Sequence, residues 1–261
     1  MRYEFTLTRR SFHKLCGLAA LFLALPRMSR AASAGIPVLL YHDISNEFTD
    51  EYTISPSDFA AQMEWLYENG YRAEALAGIG AGHALPKRSV AITFDDGYAS
   101  FMDYAFPLLR QYGFKATINV IGEYAGACLE MEGRRPMLSW DEYRHLAGSG
   151  LIDIGCHTYG LHRYIHRGVT GVADHVLADD LRLFKETMHK ETGQYPEVLA
   201  WPYGLYTQRS ISIAAESGFR RILTSRRGLF EPGGNPLEIP RQMVSGKIDL
   251  GSFRRLIGGN A

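Results

Sequence analysis

Along residues 35–261, short apolar runs alternate with longer amphipathic segments, and no low-complexity tract, charge block or Pro/Ser-rich linker interrupts them. Apolar runs of strand length lie at 36–42, 89–94, 115–121, 151–156, 198–201, 219–224 and 237–241. Between the first two, Ser55 with Pro56 next and Asp58 three residues on marks a helix start, where a small polar side chain caps free N–H groups and Pro suits the first turn. Phe59, Met63 and Leu66 then share one face, and Gly70 ends the helix. A second helix running up to Gly113 is expected to kink or break at Pro107, which has no N–H to donate. Ser139-Trp140-Asp141-Glu142 is a capping box opening a helix that stops near Gly148. Further helices are expected over 174–191 and 207–217, with a short last one over 253–257. Strands alternating with helices imply βαβ units and a mainly parallel sheet. About seven such units point to a closed or nearly closed α/β barrel more than to an open doubly wound sheet. No Gly-x-Gly-x-x-Gly or Walker-type loop offers a nucleotide a foothold.

Residues 1–34 break this pattern. They hold six basic side chains (Arg2, Arg9, Arg10, Lys14, Arg27, Arg30) and one acid, Glu4, around an apolar run over 15–26. That run is shorter than the roughly 20 residues a membrane-spanning helix needs. A basic region, a short apolar stretch and Ala32-Ser33-Ala34 form the layout of a cleaved secretory signal, and Arg9-Arg10-Ser11-Phe12 fits twin-arginine export. The expectation is a leader over 1–34, an uncleaved anchor being the alternative. One domain over 35–261 then resides in the periplasm or is secreted, a monomer with no transmembrane segment in the mature chain. The full chain of 261 residues carries 28 Lys+Arg against 28 Asp+Glu, but without the leader the balance is 22 against 27. A mildly acidic surface argues against nucleic acid or anionic lipid as a partner. Cys16 goes with the leader, and an oxidising compartment would permit a bridge between Cys128 and Cys156.

The unusual polar residues recur at one place, just past the C-terminal end of a strand. Tyr41-His42-Asp43 closes the first, Asp95-Asp96-Gly97 follows 90–94, and His157-Thr158 follows 151–156. Trp201-Pro202-Tyr203-Gly204 follows 198–200, and Arg241 follows 237–240. In an α/β barrel these ends share one rim, where active sites are built. Two adjacent carboxylates resist ionising together unless a cation or solvent intervenes. Neighbouring side chains at a strand end point apart, so one Asp can bind a metal while the other faces substrate. Taken alone, the tripeptide reads more simply as a solvated Asp-Gly turn. His157 and His162 lie five apart, off the spacing of a helix face, but with Gly160 between them a loop can bring both rings to one ion. Two imidazoles and a carboxylate suit Zn²⁺, and also Fe²⁺, Co²⁺ or Ni²⁺; the plain alternative is a strand-end histidine and an unrelated surface one. His42 in isolation reads more simply as a core-edge histidine bonded to backbone. His83, His145, His166, His175 and His189 lie off the rim and read as structural or surface residues.

Taken together these segments resemble a known family. Thr93-Phe94-Asp95-Asp96-Gly97 is similar to the first motif of the polysaccharide deacetylases, the NodB-homology or carbohydrate esterase family 4 proteins. His157-Thr158 with His162 resembles the second motif, and Trp201-Pro202-Tyr203-Gly204 the third, which is usually Arg-Pro-Pro-Tyr-Gly. The likeness runs over 36–245. Its departures are a histidine step of five where four is usual, Trp201 in place of the motif-three Arg, and no Leu-x-His near the C-terminus. All three resemble the biofilm branch, the poly-β-1,6-N-acetylglucosamine deacetylases, whose acid histidine sits on an N-terminal strand that 38–43 matches. The resemblance implies a distorted (β/α)7 barrel that removes N-acetyl groups from an acetylated polysaccharide with a divalent metal, Zn²⁺ first. It implies Asp96, His157 and His162 as metal ligands, Asp95 as general base, His42 as general acid and the Tyr203 N–H at the oxyanion. Trp201, Pro202, Tyr203, Arg241 and Tyr41 become candidates for touching substrate, and Arg241 also for orienting Asp95. Peptidoglycan or a chitin oligomer is the alternative substrate. A non-catalytic glycan-binding module is disfavoured because it needs neither Asp95 nor His42, and the strand–helix alternation and aspartate doublet argue against a non-haem iron oxygenase.

Overall fold

The computed structural model describes residues 35–258 except 77–78, 80–85, 130–132, 165–166 and 232. The expected leader, Cys16, His83 and His166 lie outside the described residues. Eight strands make the main sheet: β1 Val38–Tyr41, β2 Arg72–Ala73, β3 Ser89–Phe94, β4 Ala116–Val120, β5 Ile152–Cys156, β6 Val198–Ala200, β7 Arg221–Leu223 and β8 Gln242–Met243. All pair in parallel in the order β7-β6-β5-β4-β3-β1-β8, with β2 against the first residues of β3. The sheet's two edges meet through the segment ahead of β8. Ile239 bridges Leu223 in parallel and accepts from the Thr224 N–H at 2.9 Å, while Gln242 pairs with Leu39 of β1. The strand expected over 237–241 is therefore displaced: Pro240 has no N–H for a ladder, so Ile239 makes one bridge and regular pairing starts at Gln242. Two short ladders carried no legible pattern, Asp43–Ile44 with Thr53–Ile54 and Cys128–Leu129 with Arg135–Pro136.

Both faces of the sheet are buried, as parallel sheets require. Alternate residues fill two clusters: Val38, Ala91, Val198, Ala200, Leu223 and Ile239 in one, and Leu39, Tyr41, Ile92, Phe94, Ile154 and Leu199 in the larger one beneath the helices. Those helices are α1 Pro56–Glu68, α2 Phe106–Tyr112, α3 Trp140–Gly148, α4 Asp174–Thr192, α5 Gln208–Glu216 and α6 Leu250–Leu256. In α1 the Ser55 hydroxyl accepts from the Asp58 N–H, and Phe59, Met63 and Leu66 are buried. The break foreseen at Pro107 takes the form of a π-helical turn, Phe101–Ala105, in which the Phe106 N–H reaches back to Phe101 O before α2 begins. The looser turn absorbs the donor that proline lacks. Both bonds of the Ser139–Glu142 capping box form at α3. Ser139→Ala is expected to cost about 1 kcal/mol, seen as a lower urea midpoint with an unchanged m-value. Cys128 and Cys156 are separate free thiols, and no helix among the described residues is long and apolar enough to cross a membrane.

Candidate active site

The pleat of the strands builds the site. A period of two puts Ala91, Thr93 and Asp95 on one side of β3, so that side changes from apolar floor to carboxylate at the C-terminal rim. Thr93 donates to Leu39 O at 2.7 Å within the barrel wall. β4 delivers Asn119 to the same level, and β5 delivers His157. Asn119 requires Gly155 beside it, since a Cβ there would lie 2.2 Å from the Asn119 Oδ1.

Asp95 is 3% exposed and firmly held. Arg241 grips it with two parallel bonds, Nη1 to Oδ1 at 2.8 Å and Nη2 to Oδ2 at 2.7 Å. The Asn119 amide donates to Oδ1 at 2.7 Å. A carboxylate has about four acceptor positions, so one on Oδ2 stays open for a proton from the site. Burial pushes the Asp95 carboxyl up, but the charges of Arg241 and His157 and the Arg241 hydrogen bonds more than reverse this, to about 2. Asp95 is therefore an anion across the working pH range.

Asp96 turns the other way because its backbone is left-handed, at φ 72°. Its Oδ1 lies 3.4 Å from His157 Nε2 and 3.3 Å from His162 Nε2. The opposite ring nitrogens fix what those atoms present. His157 Nδ1 lies 2.9 Å from Ala200 O, which can only accept, so Nδ1 carries the proton. The Tyr203 hydroxyl gives its one proton to His162 O at 2.6 Å, so it must accept from His162 Nδ1 at 3.1 Å. In the neutral rings both Nε2 lone pairs then face the Asp96 carboxylate, and burial pushes His157 down to about 4, holding it neutral. Three acceptor atoms within 4.8 Å of one another, all on buried residues, form a set that a cation satisfies. Ligand atoms around a tetrahedral ion with bonds of about 2.0–2.1 Å stand about 3.3 Å apart, which is the spacing found between Asp96 and each histidine. The residues present fit a divalent metal.

Backbone strain collects here too. Of the four non-glycine residues with positive φ among those described, Asp96, Thr158 and Tyr203 (φ 72°, 69° and 58°) belong to the site. Each costs of order 1 kcal/mol and persists only where its surroundings over-determine it.

His42 stands at the rim, half-buried, with its ring edge-on to Tyr52 at 5.1 Å. Its Nδ1 is buried and finds no hydrogen-bond partner among the described residues. It is close enough to Asp95 and Asp96 for its charge to lower both carboxyls. The next residue, Asp43, is anchored by the Ser100 hydroxyl at 2.6 Å and by Arg135 at 3.1 Å. Arg135 also bonds Thr53 and Asp50 and lies over the Phe48 ring at 4.1 Å.

The structure thus gathers Asp95, Asp96, His157, His162, Tyr203, Arg241 and His42. It does not bring Tyr41, Trp201 or Pro202 to a surface where a sugar could stack. Tyr41 is fully buried against Phe59 and Phe94, with its hydroxyl on Gln62. Trp201 is 1% exposed with its ring parallel to Tyr206, and Pro202 is buried beside it. Arg241, 2% exposed, has its guanidinium on Asp95 and Thr224 and no face open to solvent. Sequence reasoning missed Asn119 and Arg135. A polar amide in the buried run Ala116–Val120 was a readable signal; Arg135, in a polar loop, gave none.

The sequence profile of the polysaccharide deacetylase family matches residues 82–222. YxkH of Bacillus subtilis, a protein named for that family, is 29% identical over 199 residues, which cover 75% of this chain and 66% of YxkH. The poly-β-1,6-N-acetyl-D-glucosamine N-deacetylase of Escherichia coli K12 is 25% identical over 260 residues, 85% of this chain and 38% of that protein. This chain therefore spans less than two thirds of YxkH and less than half of the E. coli enzyme. The structure of IcaB from Ammonifex degensii matches with a TM-score of 0.74 and 27% identity, covering 86% of this chain and 96% of that one. The curled sheet is accordingly the distorted (β/α)7 barrel of these proteins. With more than half of its sequence inside the profile, Asp95, Asp96, His157 and His162 included, the chain belongs to the polysaccharide deacetylase family.

Proposed function

We propose that the protein is a metal-dependent hydrolase that removes N-acetyl groups from an N-acetylglucosamine polymer, with poly-β-1,6-N-acetyl-D-glucosamine as the substrate. The observation that carries this reading is the division between the two aspartates: Asp96 faces two histidine lone pairs, while Asp95 faces Arg241 and keeps one acceptor position open. Asp96, His157 and His162 would hold the cation, with Zn²⁺ the first candidate for two imidazoles and a carboxylate. When bound, the cation supplies Lewis acidity, lowering the pKa of water and polarising an acyl carbonyl.

The chain's own residues do the rest. Asp95 accepts the proton of the attacking water at Oδ2, and Arg241 and Asn119 fix the carboxylate's plane while it does so. His42, at the rim beside both aspartates, donates to the departing amine as general acid. The Tyr203 N–H serves as donor to the oxygen that gains charge in the tetrahedral state. The left-handed Tyr203 backbone and the bond from its hydroxyl to His162 O hold that N–H in register with the metal loop.

The relatives named as poly-β-1,6-N-acetyl-D-glucosamine N-deacetylases support this substrate. Acetate release should be measured on β-1,6-linked N-acetylglucosamine oligomers, chitin oligomers and peptidoglycan, with and without a chelator. Turnover is expected on the β-1,6 polymer alone and is lost on chelation; preferred turnover of chitin or peptidoglycan would reassign the substrate. His42→Ala is expected to lower kcat by about 10²-fold or more, the usual worth of a general acid. Wild-type turnover in that variant would place the acid elsewhere. The leader reading adds that the protein acts outside the cytoplasm after export. Replacing Arg9 and Arg10 by Lys should leave activity inside the cell.

A further inference from the structure

The loop from His157 to His162 must hold two ligands still across a five-residue step. Much of its backbone is tied to its own side of the barrel. The His157 N–H donates to Val120 O at 2.8 Å, while Thr158 O and Tyr159 O accept from the Gly122 and Glu123 N–H groups at 3.1 and 2.9 Å. The N–H groups of Tyr159 and Gly160 go to a single side chain instead. Asp180 Oδ1 accepts from Tyr159 at 2.7 Å, and Oδ2 accepts from Gly160 at 2.8 Å.

Asp180 is out of place for an ordinary helix residue. Leu177, Leu181 and Phe184 are the buried stripe of α4, and Asp180, three residues after Leu177 and four before Phe184, falls on that stripe, where an apolar side chain is expected. A carboxylate there is costly unless it is hydrogen-bonded, and both of its oxygens are used on the loop. Its neighbour Asp179 is exposed and bonds Arg182 instead. The residue just before the two latched N–H groups is Thr158, whose left-handed backbone needs an external hold.

We propose that Asp180 is a positioning residue for the metal site, a latch from α4 that fixes the 157–162 loop and so sets how tightly Asp96, His157 and His162 hold their cation. The inference rests on the metal reading above. Without the latch, two N–H groups lose their acceptor, the loop relaxes, and the Nε2 atoms must be ordered at the moment the ion binds. Partners that orient metal ligands from outside are worth about 10–100-fold in affinity.

The test measures the Zn²⁺ dissociation constant of the full chain by competition with a chromophoric chelator. Wild type is compared with Asp180→Ala, Asp180→Asn and the neighbouring control Asp179→Ala. Asp180→Ala is expected to weaken Zn²⁺ by about 10–100-fold. Asp180→Asn, which keeps one acceptor and turns a donor toward the other N–H, should also be weakened, and Asp179→Ala should match wild type. Amide hydrogen exchange on the metal-free wild-type protein reads the latch directly, with Tyr159 and Gly160 protected. A folded Asp180→Ala with wild-type Zn²⁺ affinity overturns the proposal, and so does free exchange of those two amides in the wild type. If the wild type takes up no Zn²⁺ while both amides stay protected, the metal reading fails, and the latch's role in affinity falls with it.

Discussion

Asp95→Asn is expected to stop acetate release, lowering kcat by about 10²–10⁴-fold, while the protein still binds its metal with nearly wild-type affinity. The amide cannot take a proton from water at Oδ2, yet it fills the same space beside Arg241 and Asn119. His157→Ala should lose both properties, because it removes one of three converging ligand atoms. The pair separates two roles that adjacent carboxylates could otherwise share. Asp95 has its oxygens on Arg241 and Asn119, and Asp96 has its Oδ1 on the histidines. Chelator competition beside an acetate assay reads both quantities from the same samples. If Asp95→Asn and His157→Ala lose metal equally, Asp95 is itself a ligand and the assignment of base and ligand collapses.

The sequence made the rim legible because each rim residue interrupts an apolar run where a strand must end. Asp95, His157 and Trp201 all stand directly after buried strands, and a period of two carries the polar face to the rim. The N-cap at Ser55 and the capping box at Ser139 marked two helix starts, since the side chain and the N–H it serves are only three residues apart. What could not be read were interactions closed by the fold between distant segments. Arg135 meets Asp43 across 92 positions; the pairing of Arg241 with Asp95 across 146 positions was expected only through the family resemblance. No local pattern marks such pairs. The strand over 237–241 failed for another reason: apolar character said β, while Pro240 removed the donor its ladder needed. Trp201 and Tyr41 looked like sugar platforms because aromatic rings serve both roles, and only burial tells the two apart.

Arg241→Ala should be the most destabilising single change at the site, at about 3–5 kcal/mol. The cost comes less from losing a bond than from leaving Asp95 ionised and unpaired at 3% exposure, with Thr224 O also stripped of its donor. The pH dependence distinguishes this cause from general loss of packing. Asp95 in the unfolded chain titrates near the usual value of about 3.9, and in the folded protein at about 2. Because the folded value is the lower one, the pair's contribution is fully present above about pH 4 and lost as pH falls through about 2. In Arg241→Ala burial acts on Asp95 without its main counterweight, so the folded carboxyl rises and acid no longer removes a stabilising charge. Urea unfolding of the metal-free proteins should therefore show a wide gap between wild type and variant at pH 7 that narrows toward pH 3. A gap that is already small at pH 7 means that the Asn119 amide suffices to hold the base. A gap constant with pH means that the guanidinium matters as a space-filler in the barrel and not as the partner of Asp95.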